Sequence, residues 1–433
     1  MTNQTPATDG SLRRVLEAVW EVEEKYNLLE WKVLGEYLWV LMRTTAIRIA
    51  NEKTGNYEPR MHSGHEPNPN IPNKLSENVI IKFVRTNPDG TDRFSQQISD
   101  SLSPNVQTLD FGHVKTFSKI FYMRYRYFAA ALVLPFIRAK HRRQWAQIIE
   151  FLENKIQVDL SEIKKFPDRK LIIFKAERFG WFVMFKRSGT KRVFMVNAWN
   201  KPLLAGAQMA GAWFVEPQHG IFSKFHGLLS FPGAKKVPYY PNELFIWGQG
   251  WSEGSGIPES AIQTSIGHPK WEDFQRRTSF QPDSVLVLSQ VFHSVKLLDW
   301  TRQAAANNPV LKFTYKLHPQ EHIADFATEG LPSNLTIVSS EPSTLKMMRN
   351  SEFVIGVFST GLLEAISIGC KTVVVKLPGW EHLEAFINKG LIGAVQPDEE
   401  LNFSGLSFPP DSVDLFGQSV TNKWLRDHIS RTP

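Results

Sequence analysis

The sequence predicts an α/β protein with two Rossmann-like domains, each built on a parallel sheet. From Asp283 onwards, short apolar β-branched segments alternate with helical segments across short linkers, which is typical of a doubly wound sheet. A β-α-β pattern also runs through residues 192–216, from RVFMVNAW to AWFVE. Because 433 residues are long for a single core, we expect two domains, 1–272 and 273–433.

The composition sets loose limits on the partners. A formal net charge of +7 permits a membrane surface, a nucleotide or a polyanionic glycan without choosing among them. The positive charge is scattered and no recognition motif is present, so we expect no nucleic-acid partner. The polar start MTNQTPATDG indicates no signal peptide, and the longest apolar run, 128–137, is about half a bilayer crossing. With one cysteine, Cys370, no internal disulfide is possible, so we expect a soluble protein of the reducing cytoplasm.

The first domain is expected to begin with a helical layer over residues 11–50. The predicted strands of this domain are 78–85, 192–199, 212–216 and 242–248, and helical patterns cover 113–156, 160–188 and 203–211. Within the helical pattern over 113–156, the segment RYRYFAAALVLPFIRAKHRR (124–143) places basic residues on both sides of an apolar centre. Two interpretations stay open for it: a membrane-surface element, or a core helix with a solvated basic end.

The second domain shows a more regular rhythm, and its boundary is expected near 270–283. The predicted strands are 285–289, 312–317, 335–339, 353–358, 371–377 and 392–396. The predicted helices are 295–306, 343–349, 362–368 and 380–389, and a final amphipathic segment covers 419–429. The segment 350–390 reads twice in succession as strand, turn and helix.

The turns that follow the predicted strands of the second domain are short and polar. They are Ser289-Gln290, His318-Pro319, Ser339-Ser340-Glu341, Ser359-Thr360-Gly361 and Pro378-Gly379. In a doubly wound domain ligands bind beyond the carboxyl ends of the strands, where helix N-termini favour anions. These turns contain no paired carboxylates, so they favour phosphate oxygens over a metal ion. We therefore expect neither a metal nor a bound cofactor.

Three common motifs are absent or incomplete. There is no G-x-G-x-x-G fingerprint and no G-x-x-x-x-G-K-[ST], so the motifs that would indicate a dinucleotide-dependent oxidoreductase or a P-loop NTPase are absent from the sequence. Gly250-Trp251-Ser252-Glu253-Gly254 matches G-x-S-x-G, but a nucleophile elbow requires a helix directly after the serine. Gly256 and Pro258 follow instead, which disfavours a hydrolase.

Several segments resemble those of bacterial GT-B glycosyltransferases of capsule and lipopolysaccharide assembly. YKLHPQEH, followed by VIGVFSTGLLEAISIGCKTVVVKLPG, is similar to the His-Pro and Ser-Ser/Thr motifs of sialyltransferase-like enzymes, and more loosely to glycerol-phosphate polymerases. Upstream, EPQHGIFSKFH, YYPNELFIWGQGW and SIGHP resemble the acceptor domain of the same enzymes. The resemblance implies two Rossmann-like domains whose parallel sheets face each other across a cleft, with a nucleotide sugar as co-substrate.

The resemblance also implies roles for individual residues on the donor side. His318 and the hydroxyls of Ser359 and Thr360 would hold the donor phosphate. Glu364, one turn into the following helix, would contact a ribose hydroxyl, or else serve as a helix-capping or solvated carboxylate. The other implied donor-side positions are Ser289, Gln290, Pro319, Ser339, Ser340 and Gly361.

An inverting transfer needs a general base on the acceptor side of the cleft. The candidates are Glu216, His219, Asp89 and Glu253. We favour His219, because it follows a strand of the acceptor half and precedes Gly220, where a substrate can approach the backbone closely. A structural histidine that positions the 217–226 loop is the alternative.

The function expected from these observations is metal-independent transfer of a sugar from a nucleotide-sugar donor to a glycan or glycolipid acceptor of a bacterial surface polysaccharide. The favoured donor is a CMP-activated acidic sugar such as sialic acid or Kdo. The alternatives are a glycerol- or ribitol-phosphate transferase, and a non-catalytic GT-B-like subunit of a capsule assembly complex. A peripheral contact with the inner face of the cytoplasmic membrane or with a capsule assembly is a further expectation.

Overall fold

Two parallel sheets of six strands each form the framework of the protein. The structure is a computed structural model that describes residues 11–55, 72–82, 94–196, 200–252, 254–326, 329–339, 341–406, 408–409 and 415–431. Every strand pairing in both sheets is parallel. The predicted α/β class with two Rossmann-like domains is confirmed.

The first sheet has the strand order β2-β1-β3-β4-β5-β6. Its strands are β1 (Asn78–Ile81), β2 (Val106–Leu109), β3 (Arg192–Met195), β4 (Trp213–Pro217), β5 (Glu243–Ile246) and β6 (Ile262–Ser265). β1 and β3 end earlier than predicted, and residues 83–93 and 197–199 lie outside the described part of the chain. Sequence analysis missed β2 and β6, because both are short edge strands with partly exposed, partly polar sequences.

Eight described helices accompany this sheet. They are α1 (Ser11–Lys25), α2 (Leu38–Lys53), α3 (Gln96–Leu102), α4 (Phe111–Val133), α5 (Ala139–Ile156), α6 (Ser161–Lys164), α7 (Asp168–Ser188) and α8 (Lys201–Met209). The predicted helical layer at 11–50 is two helices, α1 and α2, which share a core with α5. Val15 of α1, Trp39 of α2 and Trp145 of α5 are fully buried in this shared core.

The helical pattern predicted over 113–156 is broken at Pro135. A 3₁₀ turn, Leu134–Phe136, separates α4 from α5, and the two helices are bent by 90°. Proline lacks the amide hydrogen that a continuing helix needs, which explains the break. Among the described residues no single helix is long and apolar enough to cross a membrane, and only this bent pair meets the length and composition criteria.

The second sheet has the strand order β12-β11-β10-β7-β8-β9. Its strands are β7 (Gln281–Leu288), β8 (Lys312–Lys316), β9 (Leu335–Val338), β10 (Ser351–Gly356), β11 (Lys371–Val375) and β12 (Gly393–Val395). The described helices of this half are α9 (Ser294–Asn307), α10 (Thr344–Asn350), α11 (Thr360–Ile368), α12 (Glu384–Asn388) and α13 (Asn422–Arg431). β7 begins inside the expected linker, four residues before the predicted start at 285. The sequence did not indicate this start, because the first three residues of the strand are exposed and carry no apolar pattern.

The last helix, α13, follows the second domain in sequence but lies against the first sheet. Leu425 and Ile429 belong to a core cluster with β1, β3 and β5. His428 Nε2 lies 2.8 Å from Glu243 Oε1, and Arg426 Nε donates to the Ser101 carbonyl at 2.7 Å. The chain therefore crosses from one domain to the other twice.

The carboxyl ends of the two sheets face each other. The loop 218–226 follows β4 of the first sheet, and the 3₁₀ turn Trp380–Leu383 follows β11 of the second. Ser223 Oγ in the loop lies 2.7 Å from His382 Nδ1 in the turn, which joins the two edges directly.

Candidate functional site

Ser289 and His318, at the ends of β7 and β8, are held in place by one carboxylate. Ser289 Oγ donates to Glu321 Oε1 at 3.0 Å, and the His318 backbone amide donates to Glu321 Oε2 at 2.6 Å. The Tyr315 hydroxyl donates to Ser289 Oγ at 3.0 Å. Sequence analysis missed Glu321, although it lies in the same HPQE segment as His318. Its role is to position two of the expected phosphate-binding residues.

The tautomer of His318 follows from a local hydrogen bond. The Gln320 backbone amide donates to His318 Nδ1 at 3.2 Å, so in the neutral ring the proton resides on Nε2. The side chain is half-buried at the edge of the sheet. An Nε2–H group at this position is suited to donate a hydrogen bond to a phosphate oxygen.

Ser359, Thr360 and Gly361 form the junction between β10 and α11, as predicted. Ser359 Oγ accepts a hydrogen bond from the Gly361 amide at 3.2 Å and thereby caps the helix. A Cβ atom on Gly361 would lie 2.9 Å from Leu288 Cδ1 and 3.0 Å from Met348 Cε. An alanine at 361 would press on the flexible ends of Leu288 and Met348, so α11 lies close to β7 here, and the half-buried Ser359 and Thr360 lie at the strand end.

The other predicted donor-side positions that the structure describes lie at the same edge of the sheet. Ser339 Oγ accepts from the Glu341 amide at 3.4 Å, and its carbonyl accepts from Lys316 Nζ at 3.2 Å. The Gln290 carbonyl accepts from the His293 amide at 2.7 Å. Pro319 is exposed and Glu364 is half-buried, whereas Ser340 lies outside the described residues. Their roles toward a donor stay predictions.

His293 is a candidate that sequence analysis missed. It lies in the 3₁₀ turn Val291–His293 after β7 and is only 6% exposed. It donates a hydrogen bond to the Pro378 carbonyl, beyond β11, and its ring centroid is 6.3 Å from that of Phe358. Its Nε2 is buried without a hydrogen-bond partner among the described residues. Because burial lowers the His293 pKa, Nε2 of the neutral ring is a hydrogen-bond acceptor.

On the first sheet, the structure brings two of the four candidate bases together. His219 Nδ1 lies 3.7 Å from Glu216 Oε1, and the two side chains are 14% and 1% exposed. Gln218 holds the loop in place: its side-chain oxygen accepts from the Trp247 amide at 2.7 Å, and its side-chain nitrogen donates to the Gly220 carbonyl at 2.9 Å. The other two candidates, at 89 and 253, lie outside the described residues.

Two further histidines line the junction of the domains near His219. The ring centroids of His219 and His226 are 6.5 Å apart, and the His382 ring lies 5.6 Å from that of Phe358, next to Ser359. Burial lowers the pKa of His226 to about 4 and that of His382 to about 3. Both rings are therefore neutral at physiological pH and pack together without charge repulsion.

The histidines at 293 and 382 share a sequence signal that could have been used. Each follows a strand of the second sheet by a few residues and lies in a 3₁₀ turn that leads into a helix. Reading only the first two residues after each strand excludes these positions. A wider window over the strand-to-helix connections would have included both.

The N-terminal helices also secure the junction. Arg43, which is fully buried, pairs with Glu23, donates to the carbonyls of Gly227 and Ser230, and lies 4.1 Å from the ring of Phe231. It therefore anchors the segment that directly follows the 218–226 loop.

On the opposite side of the junction, Glu381 accepts hydrogen bonds from the amides of Gly379, at 3.0 Å, and Arg13. Burial raises its pKa. The Arg13 side chain pairs with Glu384, so α1 of the first domain is tied to the turn that follows β11. A cavity of about 130 Å³ lies beside this contact, between Phe222, Ser223, His382 and Phe386.

Within the described residues, no group of three or more His, Cys, Asp or Glu side chains is arranged to hold a metal ion. The polar groups at the junction include imidazoles, hydroxyls, backbone amides and the carboxylates of Glu216 and Glu381. Such groups bind phosphate and hydroxyl oxygens, and an imidazole next to a carboxylate is suited to accept a proton.

No family model and no curated protein matches the sequence. The structure is similar to MurG of Acinetobacter baumannii at 12% identity and a TM-score of 0.43, over 82% of this chain and 90% of that one. It is also similar to UDP-GlcNAc 2-epimerase of Methanocaldococcus jannaschii, in complex with UDP-GlcNAc and UDP, at 8% identity and a TM-score of 0.43, over 82% of this chain and 99% of that one. It is similar to a glycosyltransferase from Rickettsia africae ESF-5 at 10% identity and a TM-score of 0.41, over 76% of this chain and 85% of that one.

Proposed function

We propose that this protein is a nucleotide-sugar-dependent glycosyltransferase that works between its two domains. The observation that carries the proposal is the Ser223–His382 hydrogen bond, which joins the loop holding His219 and Glu216 to the strand-end turns of the second sheet. A transferase of this kind must hold two substrates in one cleft, and binding on separate domains supplies that proximity.

The donor would bind at the carboxyl ends of β7, β8, β10 and β11. The Nε2–H group of His318, the amides at the start of α11 and the hydroxyl of Thr360 would bind the phosphate oxygens. Stabilising the negative charge of the departing nucleotide is the principal contribution expected from this wall. The Nε2 acceptor of His293 would bind a hydroxyl or amino group of the nucleoside rather than the phosphate.

The acceptor would bind against the first sheet. His219 would accept the proton of the attacking hydroxyl, and Glu216 would stabilise the imidazolium that forms. The buried carboxylate is not itself exposed to an acceptor, so its role is that of a positioning residue. This assignment implies an inverting transfer in a single displacement.

For the donor we favour a CMP-activated acidic sugar such as sialic acid or Kdo, and for the acceptor a bacterial surface polysaccharide, with the chemistry independent of metal ions. This narrower proposal is supported by the likeness of YKLHPQEH and of the segment 354–379 to sialyltransferase-like motifs.

Calorimetric titration with CMP, UDP, GDP and CDP tests the donor wall. We expect one of them to bind, and His318→Ala to weaken it about tenfold to a hundredfold, since a hydrogen bond to a charged group contributes about 1.5–3 kcal/mol. His322→Ala is the matched control, because His322 is exposed in the same segment. If no nucleotide binds, or if both substitutions have equal effects, the donor assignment is wrong.

Turnover tests the acceptor wall. With CMP-sugars and oligosaccharide acceptors, His219→Ala should lower kcat by about 10²–10⁴ while the Kd of the nucleotide stays unchanged. Activity with CDP-glycerol but not with CMP-sugars would assign the protein to the phosphoalditol transferases. Tight nucleotide binding without turnover on any acceptor would indicate a non-catalytic subunit.

A further inference from the structure

Helix α4 and the turn after it concentrate exposed apolar side chains. Among the described residues, fourteen large hydrophobic side chains are exposed, and half of them lie between 120 and 136. They are Ile120, Met123, Tyr127, Phe128, Leu132, Leu134 and Phe136, which we call the α4 surface, and they are 40–73% exposed. Scattered apolar residues are normal on a protein surface, whereas a contiguous patch of this kind marks a binding surface.

The other face of α4 is occupied by the protein core. Phe117 and Phe121 are buried against Trp181 of α7, with ring centroids 5.3 and 5.2 Å from it. A surface helix with one face in the core normally presents polar residues elsewhere. In α4 the core-facing stripe continues from Phe121 to Phe128 and Leu132, seven and eleven residues further on, where the core no longer covers it. Met123 and Tyr127 add exposed apolar side chains outside that stripe, so the second half of the helix is apolar and largely uncovered within the described residues.

The charge around the α4 surface selects its partner. Between residues 111 and 149 there are eight Lys and Arg residues and no Asp or Glu. Because the whole chain carries a formal net charge of +7, this segment accounts for the entire positive excess. Lys119 and Arg124 on α4, and Arg138, Arg142 and Arg143 at the start of α5, are exposed. A partner that is apolar at its centre and negatively charged around it would complement this arrangement.

We propose that the α4 surface inserts into the interfacial region of a bilayer that contains anionic lipids. The apolar side chains would enter the boundary between headgroups and acyl chains, and the basic side chains would bind the lipid phosphates. The 90° bend at the 3₁₀ turn makes Leu134 and Phe136 a convex tip, which suits insertion into a fluid surface.

The α4 surface lies away from the cleft in which the proposed substrates would bind. α4 begins directly after β2, at the carboxyl edge of the first sheet, and its 23 residues extend about 34 Å from there. The tip therefore lies far from His219 and from the donor wall. Substitutions on the α4 surface should leave nucleotide binding unchanged, so the docking proposal and the proposed enzymatic function are tested independently.

Co-sedimentation of the full-length protein with vesicles tests the proposal. One vesicle type contains phosphatidylcholine alone, and the other contains equal parts of phosphatidylcholine and phosphatidylglycerol. We expect binding to the anionic vesicles that weakens as salt is added, and little binding to the neutral ones. Substituting Arg138, Arg142 and Arg143 together by Gln should lower the partition coefficient on the order of a hundredfold, at about fivefold for each charge.

The apolar contribution is tested by the combined variant Phe128→Ser, Leu132→Ser and Phe136→Ser, which should lower partitioning by at least about tenfold. Val310→Ser is the control for an exposed apolar side chain elsewhere, and Lys235→Gln with Lys236→Gln is the control for exposed charge. Thermal unfolding checks that the variants fold, and all of these side chains are exposed.

Three results would overturn the proposal. The first is no binding of the wild-type protein to anionic vesicles. The second is equal binding by the wild-type protein and by the combined apolar variant. The third is self-association of the wild-type protein in analytical ultracentrifugation that the apolar variant abolishes, because the α4 surface would then be covered by a second copy.

Discussion

Glu177, in α7, is a carboxyl group whose ionisation should destabilise the folded protein. Burial raises its pKa from 4.5 to about 7, against smaller opposing effects of a hydrogen bond from Ser118 on α4 and of the charge of Lys170. As the pH rises through this window, the unfolded chain releases a proton that the folded protein still holds. The free energy of unfolding therefore falls, by at most about 3 kcal/mol, and stays lower above pH 7.

Glu177→Gln keeps the shape of the side chain and removes its titration. Below about pH 4 the carboxyl is protonated in both states, so the variant and the wild-type protein should be nearly equal in stability. At about pH 8 the variant should be more stable by about 1–3 kcal/mol, where the lower value allows for the partial exposure of the side chain to water.

Urea unfolding at several pH values, followed by tryptophan fluorescence, measures this difference directly. Other titrating groups are shared by both proteins and cancel in the comparison. Glu150→Gln on α5 is the control for the substitution itself, because Glu150 is exposed to solvent. A difference between Glu177→Gln and wild type that does not vary with pH, or a variant that is less stable at high pH, would refute the reasoning.

Four other predictions concern the junction and its supports. Arg43→Met leaves a buried carboxylate unpaired and should cost about 3–5 kcal/mol in urea unfolding, unlike the exposed Arg14→Met. Gly361→Ala should cost at most about 1 kcal/mol in urea unfolding, because its Cβ would meet only the flexible ends of Leu288 and Met348, and a larger loss would contradict this reading. Ser223→Ala removes a 2.7 Å interdomain hydrogen bond and should lower the free energy of unfolding by about 0.5–1.5 kcal/mol, and an unchanged value would count against this link. Because burial lowers the pKa of His226 to about 4, this group should lower stability by about 3 kcal/mol as the pH drops from 6.5 to 4, and His226→Gln should remove that share of the slope while the share of His382 remains.

Much of the second domain could be predicted from the sequence because its elements are locally encoded. β10 and β11 are short runs of buried apolar residues, and Ser359 and Gly369 mark the start and end of the helix between them. Each of these signals extends over a few neighbouring residues. The edge strands β2 and β6 were missed for the opposite reason, since exposure removes the apolar pattern by which a strand is recognised.

The candidate site was predicted only in part. Sequence analysis selected His219 and Glu216 as separate candidates, and the structure shows them as a pair. It selected Ser289 and His318 without the Glu321 carboxylate that positions both. In both cases a Glu lies three residues from the histidine that it contacts, and the conformation of the turn brings the two together. The sequence shows that they are neighbours along the chain but does not fix that conformation.

The sequence by itself determined the α/β class, the parallel sheets and the polar strand ends, because apolar periodicity and turn residues are local properties of the chain. Only the tertiary structure decided which strand ends face each other. The Ser223–His382 contact joins residues 159 positions apart, and α13 returns to the first sheet through His428 and Glu243, which are 185 positions apart. Such contacts depend on how two complete sheets pack together, and that packing leaves no periodic pattern in either segment alone.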